Sequence, residues 1–418
     1  MTQLKKLGAI GGVVALGLCW PLAVGQIGER VIEDAIADIN DDVLIAEIVQ
    51  YDRGYLSSVA KTRYAVRDEV FKAQLEADGL PTEFTVDSQI SHGIASISAL
   101  STVENFPIPA ELKTTTQLNG NTDYQLNVAS WHYTPEENPE VSLTISPSVA
   151  EGSVTVLGEL DFTMMVPSIS LEFETGESFT IEGLKAQGEG KKAKYIWLGE
   201  QSIEVEQVQL FDGVSSPMAL QNAKYTFTAE ENVETDRLSS THKVIVGEVD
   251  TTDGIISNLN IDFTIGDLDQ PSFAAIMDIY QNASVLTEQD VIASLPHMES
   301  LIERGFFLSM DNMALTLGDG DFSSKWKLEV PEGTSGLTTD PISVSNAVTG
   351  QLETVFTHEL VDEYPFIEEG IDEAIIMEIV KETDTGYTIN AKLEQGNLVF
   401  ESGQTIPLMA LMLPMMMQ

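Results

Sequence analysis

Tyr51-Asp52-Arg53-Gly54-Tyr55-Leu56-Ser57-Ser58-Val59-Ala60-Lys61-Thr62-Arg63-Tyr64-Ala65-Val66 decides the fold class of this chain. Asp52-Arg53-Gly54 is a turn signal, because glycine accepts backbone angles closed to other residues and aspartate bonds its own backbone two residues on. Beyond it, Val59, Lys61 and Arg63 fall on one side of an extended chain, and Ala60, Thr62, Tyr64 and Val66 on the other. A period of two puts these sets on opposite faces of a strand, one solvated and one buried. The apolar run Val43–Tyr51 precedes the turn, so the segment reads as two antiparallel strands.

The same texture continues along the chain. Strand-like runs lie at Phe84–Ile90, Tyr124–Tyr133, Val141–Ile145, Ser153–Phe162, Ser168–Phe173, Phe179–Glu182, Ile203–Leu210, Ala223–Ala229, His242–Val249 and Leu259–Ile265. Each is rich in β-branched or aromatic residues and lies near turn signals. Helical periods then interrupt. Ser272, behind Pro271, is expected to cap a helix with Phe273, Ile276, Met277 and Tyr280 on one face. Thr287 and Asp290 form a capping-box pattern ahead of a stripe of Val291, Leu295, Met298 and Ile302. Pro296 is expected to kink that helix and Gly305 to stop it. Strands resume at Phe306–Leu317 and Ser323–Val330 around a Gly318–Asp321 turn. A helix is expected over Phe366–Lys381, with Ile367, Ile371, Ala374, Ile375 and Ile379 inward. A closing pair, Tyr387–Leu393 and Leu398–Glu401, turns at Gln395-Gly396-Asn397.

At the N-terminus Lys5 and Lys6 precede Leu7–Gly28, which holds no charge. As a helix it is about 33 Å long at about 1.5 Å per residue, close to a hydrocarbon core of about 30 Å. Lysines before it and acids after it, starting with Glu29, predict an N-terminus in the cytoplasm and an exported body. Its length favours an uncut signal anchor; Pro21 and Ala23-Val24-Gly25 suit a cleaved signal peptide. Cys19 follows a bulky leucine, which disfavours lipidation there. Ile27, Val31, Ile32, Ala35, Ile36 and Ile39 then share one side of an amphipathic helix, opposite Glu29, Glu33, Asp34 and Asp38.

The fold class expected is therefore α+β, predominantly antiparallel β: long meandering curved sheets with a helical insert and an N-terminal transmembrane helix. The expected organisation is an anchor or signal peptide at 1–28 and a linker helix at 29–40. A β-rich lobe at 41–267, a helical insert at 268–304 and a second β-rich lobe with one helix at 305–418 follow.

Charge bounds the partners. Acids number 66 and Lys plus Arg 21, a formal net charge of −45. Such a surface repels phosphates, so no nucleic-acid partner is expected. It fits a body solvated in salt, which screens its self-repulsion. The one cysteine, Cys19, rules out an intramolecular disulfide and a thiol nucleophile in the exported body.

No constellation for chemistry emerges. His92, His132, His242, His297 and His358 have no ligand spacing to one another. His358-Glu359-Leu360-Val361-Asp362 imitates a zincin helix, but aspartate stands where the second histidine belongs, and the segment reads strand-to-loop. Gly-x-Ser-x-Gly, P-loop and dinucleotide patterns are missing. Asp319-Gly320-Asp321 and Asp250–Asp253 lack the calcium loop with its terminal glutamate. The methionine-rich end, Pro407–Gln418, suits packing in an apolar gap better than copper. No catalytic, cofactor-binding or metal residue is assigned, and no cofactor is expected.

Three segments carry a likeness. Tyr51-Asp52-Arg53-Gly54-Tyr55-Leu56-Ser57-Ser58 matches a Tyr-x-Arg-Gly-aromatic-x-Ser-Ser pattern. His92-Gly93 is similar to a His-Gly-Pro element, with Ile94 replacing proline. Gln395–Gly403 looks like a closing Gly-x-Leu-x-x-Asn-Gly hairpin, with Glu401-Ser402 where Asn is usual. With the lysine-then-apolar N-terminus, the chain resembles the YdgA-like (YdgA/YihF) family of bacterial envelope proteins, a domain-of-unknown-function family. The resemblance implies a Gram-negative source and an anchored periplasmic protein, and it supplies no enzymatic role to carry over.

The function expected is non-enzymatic: binding of a lipid, an envelope polymer or a protein partner by a sheet face or groove, beside a membrane reached through the N-terminal helix. The alternatives are an envelope scaffold that recruits a partner through exposed strand edges, and a hydrolase built from dispersed carboxylates. Oligomeric state is open.

Overall fold

The opening hairpin forms as its alternation predicts. β1 (Leu44–Arg53) pairs antiparallel with β2 (Ser57–Val66), and Gly54 N–H closes the turn on Ser57 O at 2.8 Å. Ser58, Ala60, Thr62, Tyr64 and Val66 are buried, whereas Val59 and Arg63 are exposed. The computed structural model describes residues 44–54, 56–77, 81–93, 96–106, 108–134, 139–193, 196–214, 218–251, 254–282 and 287–408. The expected membrane helix, the linker helix at 29–40 and most of the methionine-rich end lie outside these residues. Among the described residues no helix is long and apolar enough to cross a membrane.

The strands belong to one mostly antiparallel sheet, where several sheets were expected. The chain divides into two compact units: residues up to Gly190 with Val205–Pro217, and Lys191–Glu204 with Met218 onward.

In the first unit the chain continues through α1 (Glu69–Ala77), β3 (Glu83–His92), β4 (Ser96–Glu104), β5 (Ala110–Gln117), β6 (Thr122–Val128), β7 (Trp131–Tyr133), β8 (Val141–Ile145), β9 (Ser148–Val154) and β10 (Glu159–Phe173). The strands β1 to β6 pair in chain order, and β6 pairs with β9. Tyr64 and Phe84 stack at 5.1 Å in one core cluster, and Trp131, Leu143 and Leu171 centre another. Small hydroxyls on the buried face bond in pairs beside the apolar clusters, Ser88 to Ser101 at 2.8 Å and Thr116 to Thr122 at 2.9 Å. Pairing is what makes these hydroxyls tolerable away from water.

The strands β11 (Ser178–Ala193) and β12 (Ile196–Phe211) each contribute to both units. The second unit continues with β13 (Met218–Asn232), β14 (Arg237–Thr251) and β15 (Gly254–Asp269), which are 15, 15 and 16 residues long. Next come α2 (Gln270–Asn282), α3 (Glu288–Arg304), β16 (Phe306–Leu317), β17 (Gly320–Val330), α4 (Pro341–Ala347) and β18 (Thr349–Thr357). Then follow α5 (His358–Glu363), α6 (Pro365–Ile376), β19 (Lys381–Thr383), β20 (Gly386–Glu394), β21 (Asn397–Phe400) and β22 (Thr405–Pro407). β15 pairs with β16 across the two inserted helices, and the ladder runs on through β17, β18, β20, β21 and β22.

Several expectations change. Ser272 does not cap α2; its N–H donates to the Asp269 carboxylate at 3.1 Å, one turn earlier. Thr287 caps α3 with a complete capping box, and Gly305 ends it. The packed face of α3 is rotated from the expected stripe: Ser294 is fully buried, whereas Val291 and Met298 are exposed. His358 begins a helix, capped by Thr357, where a strand-to-loop passage was expected. The last long helix stops at Ile376, and Lys381 opens β19; Ile371 and Ala374 face inward, but Ile375 is exposed.

Candidate functional site

The second unit brings together a face that no single segment announces. Phe227 opposes His242, His242 opposes Phe263, Phe263 opposes Met310, and Met310 opposes Trp326. The row continues from Trp326 to Leu352, Ala391 and Phe400. Directly opposed residues share one face of a sheet, and at about 4.8 Å per strand this row is about 34 Å wide.

The flanking rows have the same character. On one side run Tyr225, Val244, Ile261, Met313, Ser324, Thr354 and Ile389. On the other run Ala229, Ser240, Ile265, Leu308, Leu328, Gly350 and Leu393. No aspartate, glutamate, lysine or arginine occurs in the three rows, in a chain that is 21% charged. Most of their large side chains, Phe227, Phe263, Met310, Trp326 and Leu352 among them, are only half-buried. The arrangement is an extended apolar surface in partial contact with water, and burying more of it is favourable by about 25 cal/mol per Å².

His242 is the one titratable side chain in the central row. Its Nδ1 lies 2.8 Å from Tyr225 Oη, and its Nε2 lies 3.4 Å from Ser240 Oγ. Phe227 and Phe263 flank the ring at centroid distances of 5.1 and 6.2 Å, and Trp326 lies 6.0 Å beyond Phe263. Burial pushes the His242 pKa below its ordinary value and lifts that of Tyr225 above its own. The imidazole is therefore neutral at neutral pH and serves as one donor and one acceptor.

A pH dependence follows. The unfolded chain takes up a proton at this histidine near pH 6.5, whereas the folded chain resists it. Stability is thus full above about pH 6.5 and falls as the pH drops from there through the lower folded value. Wild type is expected to lose more thermal stability between pH 7.5 and 5.5 than His242→Gln. Equal losses in the two proteins would contradict it.

The opposite face of the same strands is polar. Lys243 pairs with Asp262 at 2.9 Å there. A cavity of about 910 Å³ on that side is lined by Lys325, Lys327, Gln351, Glu353, Asn390, Lys392 and Glu401, among others. These alternate along their strands with Trp326, Leu352, Ala391 and Phe400, so they belong to the face behind the apolar row. Lys327 pairs with Glu329 at 3.3 Å and lies 4.5 Å above the Phe307 ring. Such half-exposed pairs contribute at most about 1 kcal/mol each.

Two of the three sequence motifs, Tyr51–Ser58 and His92-Gly93, meet in the first unit, and the third, Gln395–Gly403, lies in the second. The β1–β2 and β3–β4 turns lie side by side: His92 N–H donates to Leu56 O at 2.7 Å, and Gly93 N–H to Ser96 O at 2.9 Å. The His92 Nε2 lies 3.1 Å from Oγ of the buried Ser58. Among the described residues no carboxylate is hydrogen-bonded to His92, so the pair lacks the group that orients a catalytic imidazole. The contacts fasten two hairpin ends together.

The other histidines serve as single hydrogen-bond partners or none. His132 meets Thr144 Oγ1 at 2.9 Å, and His358 meets Thr383 O at 3.1 Å beside Tyr387. No group of three or more metal-ligating side chains is gathered among the described residues. Lys61 bridges Asp87 and Glu104 on the solvated side of the first unit. There burial raises the Asp87 pKa, and the Lys61 hydrogen bond lowers that of Glu104.

Comparison with known proteins gives one match. Neither a curated protein nor a solved structure is similar to the chain. The family described as Bacterial protein of unknown function (DUF945) matches residues 4–409. The motif-bearing hairpins and the uncharged face all fall inside that span, and the chain belongs to this family.

Proposed function

We propose that this is a YdgA-like envelope protein, anchored by Leu7–Gly28 with its body in the periplasm, that binds the acyl chains of a lipid. It works by binding and catalyses no reaction. The observation that carries the reading is the half-buried face of three consecutive rows without a formal charge. A chain with net charge −45 has ample acid to solvate that face, yet places none on it. Large exposed apolar patches mark interaction surfaces, and a flexible chain lying along the rows would complete their burial.

The test is native mass spectrometry of the full chain extracted in mild detergent. Wild type is expected to carry co-purified lipid. Leu352→Glu puts a carboxylate in the middle of the row at a half-buried position, and it is expected to cut lipid occupancy at least tenfold, since desolvating an unpaired charge costs more than about 1.4 kcal/mol. Wild type free of lipid, or lipid retained equally by the variant, would overturn the reading.

A further inference from the structure

We infer that Tyr225 and His242 form a polar notch that recognises an ester carbonyl of the bound lipid. This rests on the apolar-ligand reading above and names the chemistry of that ligand's polar part.

The long apolar row has one interruption, an imidazole set between Phe227 and Phe263. A phenylalanine there would continue the row, so the histidine adds hydrogen-bonding capacity where packing does not need it. Tyr225 Oη lies 2.8 Å from Nδ1 and can donate to it, which leaves the proton on Nε2. The near partner of Nε2, Ser240 Oγ, lies at 3.4 Å, beyond the usual range for a good hydrogen bond. The Nε2–H is thus a donor with a weak partner on a half-buried apolar surface, and an acceptor arriving with an apolar ligand would satisfy it.

Charge narrows the acceptor. No lysine or arginine lies in the three rows, and Lys243, next in sequence, is on the other face and paired with Asp262. Burial keeps His242 neutral. A free carboxylate or phosphate would find no cation here and would meet a strongly acidic protein. A neutral carbonyl accepts one hydrogen bond without that cost. A partner strand is disfavoured as occupant, because β14 and β15 are paired along both edges and offer no free backbone at this face. The geometry therefore fits an ester-linked acyl lipid, its chains along the rows and one ester oxygen at His242.

The probes are a phosphatidylcholine with two ester-linked chains and its analogue with two ether-linked chains, which differ in the carbonyl groups. Each is titrated onto the full chain and followed by native mass spectrometry. Wild type is expected to favour the ester lipid by about five- to tenfold, the value of one hydrogen bond. His242→Phe is expected to keep ether-lipid binding and lose the preference. Tyr225→Phe, which keeps the imidazole but frees Nδ1, is expected to weaken it. Equal binding of both lipids by wild type, or a preference unchanged in both variants, overturns this inference and leaves apolar binding standing. Binding of neither lipid overturns the function proposed above as well.

Discussion

Replacing Gly320 by valine is expected to destabilise the second unit by about 3 kcal/mol or more. Gly320 is buried at the start of β17, where it pairs with Leu317 across the β16–β17 turn. A Cβ at this position would overlap the backbone N and Cα of Leu360 in α5. A flexible side chain could swing aside from such a clash, but a helix backbone cannot. Leu360 and Val361 are themselves 2% and 3% exposed, so α5 has nowhere to retreat without opening its own core contacts. The loss should appear as a lower urea midpoint at unchanged slope. Gly370→Ala gives the opposite sign. Nothing lies within 4 Å of a Cβ there, the residue is in the middle of α6, and alanine is expected to stabilise that helix by up to about 1 kcal/mol. A Gly320→Val protein as stable as wild type would mean that α5 is not packed on β17 as described.

How much of this was legible in the sequence depends on what fills the buried positions. The β1–β2 hairpin was readable because tyrosine, valine and alanine alternate there with lysine and arginine. The strands β4 and β5 were not read at all. Half of their buried positions are held by Ser101, Thr114 and Thr116, which carry no apolar signal, and the others by Ala99, Ala110 and Leu112, two of them small. The pairing that makes those hydroxyls acceptable comes from neighbouring strands and cannot be seen within one. The cap of α2 was misplaced for a related reason. Asp269 and Ser272 are both good caps, and the choice of Asp269 follows from its contact with Arg304, which arrives from the far end of α3.

The candidate site was the least legible part. Phe227, His242, Phe263, Met310 and Trp326 each lay in segments read as strands. What makes them a row is register, and bulges at Leu238/Ser240, Asp262/Phe263 and Met310/Met313 reset it. A one-residue difference at any of these would send a strand's side chains to the other face. An alternation can say that a strand has an apolar side; it does not say which residues of distant strands that side will meet.

The same long-range logic makes Asp269 the second position of large effect. It lies where β15 ends and α2 begins, with its side chain 9% exposed. One carboxylate oxygen accepts from Arg304 Nε at 3.0 Å, and the other accepts the Ser272 N–H and hydroxyl. Arg304, at the end of α3, also donates to Thr235 O at 3.0 Å, while Arg237 donates to Gly305 O at 2.8 Å. The carboxylate therefore holds both ends of the helical excursion to the sheet. Asp269→Ala removes a helix cap, about 1 kcal/mol, and a charge-assisted bond, about 1.5–3 kcal/mol. A total loss of about 2–4 kcal/mol is expected. Asp269→Asn keeps an acceptor for the cap but not the charge, and it should fall between wild type and alanine. If the tether is local, hydrogen exchange should quicken across α2 and α3 before it does in β17 and β18. Uniform acceleration through the second unit would show instead that the helices and the sheet unfold as one cooperative body.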